Sequence, residues 1–122
     1  MRHGQLKQTS GTVINTVPAK LTDDAQAFGT TTRVISKLAT TTASKPWTWS
    51  AEDVWKSNTW YESPDISGIL QEIVNRPGWA AGNGLALIYT SDQDSFGDER
   101  RFWSYDGDPT KAAKLVITYQ PK

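Results

Sequence analysis

Residues 63–75 carry a strong amphipathic helix pattern, and the rest of the fold has to cover the apolar face of that helix. Apolar residues recur at the spacing of one helix face, at Ile66, Ile69, Leu70, Ile73 and Val74. Ser63 is a good N-cap, and Pro64 fits the first helical position. Asp65 suits the positive end of the helix dipole, and Pro77 with Gly78 stops the helix. The pattern predicts one helix at about residues 64–75.

Short β-prone stretches separated by turn residues surround this helix, at residues 13–17, 33–38, 47–49, 85–90, 100–105 and 115–119. Pro18 closes the first stretch, which favours an edge strand. Residues 85–90 are apolar on both faces, which favours a central strand. We therefore predict a mainly β fold, a jelly-roll-like antiparallel β-sandwich with one amphipathic helix, over residues 13–122 after a flexible tail at residues 1–12.

Composition narrows the classes of function. Among 122 residues, 13 are Lys or Arg and 13 are Asp or Glu, so the formal net charge is zero. This balance argues against a nucleic-acid-binding protein, which usually has a basic excess. No stretch approaches the roughly 18 apolar residues of a membrane span. The chain has no cysteine, and its single histidine, His3, lies in the predicted tail, so neither thiol nor histidine chemistry is expected.

One string, residues 71–79 with the letters QEIVNRPGW, is the most specific part of a longer pattern. The pattern also includes residues 63–66, 82–88, 104–107 and 114–119. It resembles the end of the jelly-roll modules of large bacterial surface and secreted proteins, which are related to DNRLRE-type carbohydrate-binding modules. The resemblance covers about residues 13–119. It implies a β-sandwich, a polysaccharide partner and an extracellular or cell-surface location, although residues 1–12 lack the apolar core of a signal peptide.

Two features depart from that family pattern. The modules usually carry a further N-terminal half with several strands before the position of Val13, and we expect this chain to lack that half. Their loop before the Arg-containing strand is short and glycine-rich, whereas residues 91–99 are longer and acidic. A retained fold would then leave a sheet edge and apolar surface open. Pairing with another copy covers both, so a homodimer or larger assembly is expected.

Six tryptophans are many for a chain of this length. Trp79 follows the helix stop and is expected to be structural. Trp47, Trp49 and Trp55 are expected to fill a core rather than to bind a ligand, since a buried indole needs only one hydrogen-bond partner. The better candidates for binding are therefore Trp60 and Trp103.

The stretch at residues 100–105 supplies the other candidate ligand-binding residues. Alternation along a strand places Arg101, Trp103 and Tyr105 on one face. An exposed ring stacks on the C–H groups of a sugar, and Arg offers forked donors to a carboxylate. Together with Trp60, these residues form the predicted ligand-binding site. The alternative is a solvated edge or a contact between subunits.

An acidic loop follows residue 91. Asp92, Asp94 and Asp98 could supply the oxygen ligands that Ca²⁺ prefers. The loop superficially resembles an EF-hand loop but lacks the flanking helices and the final Glu, and a solvated loop is the alternative. No other cofactor is implied.

Carboxylates for glycoside hydrolysis would come from Asp53, Glu62, Asp65 and Glu72. Asp65 is better explained by the helix start, and Glu72 lies away from the apolar stripe. The sequence has no nucleophile elbow or phosphate-binding loop. We therefore predict a non-catalytic module and keep two functions open. One is carbohydrate binding through exposed aromatic residues; the other is a structural interaction module that forms a homo-oligomer without a small-molecule ligand.

Overall fold

The structure, a computed structural model, describes residues 13–30, 35–50, 55–91 and 102–120. It contains a small antiparallel sheet and one short helix. The strands are β1 (Val13–Val17), β2 (Lys45–Trp49) and β3 (Thr90–Ser91), in the order β2-β1-β3. Helix α1 (Ser67–Val74) lies between β2 and β3 along the chain. The predicted tail lies outside the described residues.

Strand β1 is central in this sheet. Its Asn15 lies opposite Trp47 of β2 on one side and opposite Ser91 of β3 on the other. The prediction of an edge strand, made from Pro18, is therefore wrong. Pro18 lacks an N–H group, but its carbonyl still accepts a hydrogen bond from the N–H of Ile88 at 2.8 Å, so pairing resumes after one residue.

The flanking stretch at residues 85–90 is not the central strand that its apolar composition predicts. It lies beside the continuation of β1, where Leu87 forms an antiparallel bridge with Ala19. Regular strand structure appears only at its end, in β3. Its apolar side chains are explained by different contacts: Ile88 is buried, and Leu85 packs on the helix core.

Burial alternates along β1, as it does in a sheet with one covered face. Asn15, Val17 and Ala19 are buried, whereas Ile14 is exposed. Asn15, only 1% exposed, donates its side-chain N–H to the carbonyl of Trp47 at 3.2 Å, which compensates for its burial.

Helix α1 covers the end of β1 through Ile69 and Ile73. Both side chains are 1% exposed and pack with Ala19. Partly buried apolar residues complete this core, namely Ala43, Ile66, Trp79 and Leu85. The structure confirms the apolar stripe at Ile69 and Ile73 and the structural role of Trp79, whereas Val74, the last residue of the predicted stripe, is 49% exposed.

The helix begins three residues later than predicted. Ser67 is its first residue, and its backbone N–H donates to a carboxylate oxygen of Asp65 at 2.8 Å. The hydroxyl of Ser67 donates to the other carboxylate oxygen at 3.0 Å. Asp65, rather than Ser63, therefore satisfies the helix start, and the predicted N-cap is wrong. The predicted stop is confirmed, because the helix ends at Val74, before Pro77.

Three other predicted strands do not appear in the described part of the chain. Residues 35–37 form a turn, residues 102–104 have no regular structure before a turn at 105–107, and residues 115–119 have none. Strand propensity is present in each stretch, but no neighbouring strand lies beside it within the described ranges. Across those same ranges, none of the helical structure is both long and apolar enough to cross a membrane.

Candidate functional site

Six aromatic side chains from four parts of the chain pack together into an aromatic cluster, made of Trp47, Trp49, Trp55, Tyr61, Tyr89 and Phe102. Trp49, on β2, lies at its centre: it is 9% exposed and meets Trp55 and Tyr61 edge to face. Ring contacts of this kind add to the stabilisation from burial alone. The cluster therefore forms a packed base beside the sheet.

Two donors inside the cluster are left without an acceptor. The indole N–H groups of Trp49 and Trp55 are buried, and neither reaches a hydrogen-bond acceptor within the part of the chain that the structure describes. An unsatisfied buried donor costs free energy. Packing of the rings, rather than hydrogen bonding, therefore holds these two side chains in place.

Trp60 stands at one margin of the cluster and is 57% exposed. Its neighbour Tyr61 stacks on Trp55 with ring centroids 4.7 Å apart, and the Tyr61 hydroxyl accepts the backbone N–H of Lys56 at 2.7 Å. These contacts anchor the backbone next to Trp60. The ammonium group of Lys114 lies 4.6 Å from the centroid of the Trp60 ring, within the range of a cation–π interaction.

The environment of Trp103 is similar to that of Trp60, and the residue is 46% exposed. Its neighbour Phe102 meets Trp55 edge to face at 4.9 Å. The ammonium group of Lys111 lies 4.9 Å from the centroid of the Trp103 ring and 3.2 Å from a carboxylate oxygen of Asp108. Trp103 is thus a half-exposed ring next to a residue that packs on the aromatic cluster, with a cation over its ring.

Asp108 holds the turn that carries Lys111. Its carboxylate accepts hydrogen bonds from the backbone N–H and the hydroxyl of Thr110, at 3.0 and 2.6 Å. The Thr110 hydroxyl, followed by the contact with Lys111, lowers the pKa of Asp108 below the usual range of an aspartate. The carboxylate therefore stays charged and restrains Lys111 near Trp103.

Two indirect connections link Trp60 and Trp103. Their neighbours Tyr61 and Phe102 both contact the same ring, Trp55. Their lysines are three residues apart in sequence, a separation that spans at most about 10 Å of extended chain. We call Trp60, Trp103, Lys111 and Lys114 the aromatic–lysine surface.

Of the four predicted ligand-binding residues, Trp60 and Trp103 are both about half exposed, and the chain neighbour of each contacts Trp55. Tyr105, a third, is 74% exposed and lies in the turn after Trp103 rather than on a strand face. Arg101 falls outside the described residues, and so do the predicted calcium ligands Asp92, Asp94 and Asp98. Within the described ranges, no three His, Cys, Asp or Glu residues are grouped as a metal site would require.

Two of the candidate catalytic carboxylates have structural contacts. Asp65 accepts the backbone N–H of Ser67 at the start of the helix, and Glu72 accepts the backbone N–H groups of Thr42 and Ala43, all at 2.8 Å. These hydrogen bonds, that of Ala43 first, lower the pKa of Glu72. Glu62 is exposed, and Asp53 lies outside the described residues.

Sequence reasoning missed the structural role of Glu72 and of the residues that follow it. Arg76 forms an ion pair with Asp23, 53 residues away in sequence. The side-chain amide of Asn83 donates to the carbonyl of Asp23 at 3.2 Å. Glu72 and Arg76, both in the string at residues 71–79, therefore attach the helix and the turn after it to residues 23–43.

The chain matches no family model, and neither the curated proteins nor the solved structures show a significant match.

Proposed function

We propose that this chain is a non-catalytic polysaccharide-binding module. The pair of half-exposed indoles, Trp60 and Trp103, carries the proposal. The chain neighbour of each ring, Tyr61 or Phe102, packs on Trp55, so the backbone that carries each indole is held in place. A flat ring that remains in water presents a face on which the C–H groups of a sugar ring can stack.

The lysines add polar specificity to the two rings. Lys111 and Lys114 hold their ammonium groups over the rings of Trp103 and Trp60. On this proposal a sugar stacks on the opposite face of each ring, or displaces the lysine, whose ammonium group then donates to the sugar hydroxyl groups. Tyr105 extends the exposed aromatic surface, and we propose Arg101 as a further donor to the same ligand. A polymer that contacts both rings gains from two sites at once, which favours an extended chain over a single sugar.

On this proposal the observed sheet and helix are part of a larger jelly-roll-like β-sandwich of the DNRLRE type, located outside the cell or at its surface. Two observations support it: β1 has one buried and one exposed face, as expected of one layer of a sandwich, and residues 71–79 resemble the family's string. The absence of catalysis is supported by Asp65 and Glu72, whose carboxylates are engaged by backbone N–H groups.

Affinity gel electrophoresis with a panel of neutral and uronate-containing polysaccharides tests the proposal. The unmodified chain is expected to be retarded by at least one of them, and the double variant Trp60→Ala/Trp103→Ala to migrate freely. Phe28→Ala is a matched control, because Phe28 is 43% exposed and also has a lysine, Lys20, over its ring. Free migration of the unmodified chain in every gel, or equal retardation of the double variant, overturns the proposal.

A further inference from the structure

We infer that residues 115–119 pair, antiparallel and centred on Ile117, with the same residues of a second copy of this chain. We call this stretch the C-terminal segment. The inference goes beyond the proposed function, because the pairing requires no ligand.

The C-terminal segment is a strand-forming sequence left in water. Leu115, Val116, Ile117 and Tyr119 are 45%, 87%, 55% and 79% exposed. In the described part of the chain, the segment has no regular secondary structure, and no hydrogen bond reaches its backbone. Consecutive β-branched and aromatic residues with open N–H and C=O groups form a template for another strand.

The described sheet offers this segment no good partner. Strand β1 is already paired on both sides. Strand β2 carries Pro46, which removes one N–H donor and is a residue typical of protected edges. Strand β3 has only two residues. A partner outside these strands is therefore favoured.

A second copy offers the segment compatible side chains and no like charges at the paired positions. Centring the pair on Ile117 places Leu115 opposite Tyr119 and Val116 opposite Thr118. Aliphatic–aromatic pairs of this kind are among the favourable cross-strand pairs. None of the five residues is charged, and the adjoining Lys114 would face Gln120 rather than another lysine. The pairing is thus self-complementary, as a two-fold interface requires.

Pairing also has a consequence for binding. Lys114, next to the segment, lies over Trp60. A dimer joined through residues 115–119 therefore carries two aromatic–lysine surfaces in one particle, which raises the avidity for a repeating polymer.

Charge variants at the two-fold centre test the inference. Ile117 alone faces itself, so Ile117→Lys and Ile117→Glu each place like charges opposite one another and are expected to raise the dimer dissociation constant at least about tenfold. An equimolar mixture of the two variants is expected to dimerise again. Sedimentation velocity over a concentration series measures the dimer dissociation constant of each variant and of the mixture. Ile35→Lys is the matched control, since Ile35 is 52% exposed in a turn.

Cysteine cross-linking tests the register, because the chain has no cysteine of its own. Ile117→Cys is expected to form a disulfide-linked dimer under mild oxidation. Tyr119→Cys is expected to remain unlinked, because two copies of position 119 would lie about 14 Å apart. A chain that sediments as a monomer at every concentration overturns the inference. So do dimers that persist in both charge variants, or faster linking at position 119. Circular dichroism checks that each variant is folded.

Discussion

Gly84 and Ala25 meet so closely that a side chain at position 84 would collide with the backbone. The N–H of Ala25 donates to the carbonyl of Gly84 at 2.9 Å, and a Cβ on Gly84 would overlap the carbonyl oxygen of Ala25. The N–H of Gly84 in turn donates to the carboxylate of Asp24 at 2.6 Å. The turn after the helix is therefore fixed directly to residues 24–25.

We expect Gly84→Ala to lower the free energy of unfolding by about 2 kcal/mol, because the backbone must shift to admit a methyl group. Chemical denaturation measures the change. Gly68→Ala is the control: it lies in α1 with nothing within 4 Å of a new Cβ, so a stabilisation of about 0.5 to 1 kcal/mol is expected. A neutral Gly84→Ala would contradict the observed packing.

From the hydrogen bonds of Glu72 we predict that the stability of the fold depends on pH in a specific way. Its pKa lies below the usual value because Ala43 and Thr42 donate hydrogen bonds to its charged form. The stability that it contributes is therefore present above the unfolded-state pKa of about 4.3 and is lost as the pH falls through the lower folded-state pKa.

Glu72→Gln should thus be less stable than the unmodified chain at neutral pH, and the difference should shrink as the pH falls below about 4. Thermal unfolding at several pH values measures it. Glu62→Gln removes the same charge from an exposed position and controls for net charge. If the thermal stability of both variants depends on pH in the same way, the role assigned to Glu72 is wrong.

Local features of the fold could be predicted from the sequence, but the pairing of the strands could not. The helix was recognised from its apolar period, and strands at residues 13–17 and 47–49 from β-branched and aromatic residues. The start of the helix was misplaced because Asp65, rather than Ser63, accepts the N–H of the first helical residue, while the Ser63 hydroxyl donates to the carbonyl of Pro64. The central position of β1 depends on partners 28 to 76 residues away, which no local pattern encodes.

Two substitutions at Trp49 distinguish the contribution of ring packing from that of hydrogen bonding in the aromatic cluster. Trp49→Ala is expected to cost about 3 to 5 kcal/mol, since it removes a buried ring that contacts its neighbours edge to face. Trp49→Phe is expected to cost less than half as much, because it keeps a ring and removes a donor without an acceptor. Equal losses in the two variants, measured by denaturation, would show that the indole N–H matters.

The candidate site was partly predictable for a related reason. Trp60 and Trp103 were predicted to be the tryptophans best suited to binding, and both are about half exposed in the structure. Their joint support by Trp55 was not foreseen, because residues 60 and 103 are far apart in the chain. The lysines at positions 111 and 114 carried no pattern of their own, so only the folded chain shows them beside the two rings.

The most direct test of the binding surface is isothermal titration calorimetry with a polysaccharide that retards the unmodified chain. Trp60→Ala and Trp103→Ala should each weaken binding about tenfold or more, while Phe28→Ala leaves it unchanged. The thermal midpoints of both tryptophan variants should stay close to that of the unmodified chain, because the two rings are about half exposed. Unchanged affinity in either variant, with the fold intact, would contradict the aromatic–lysine surface as the site of binding.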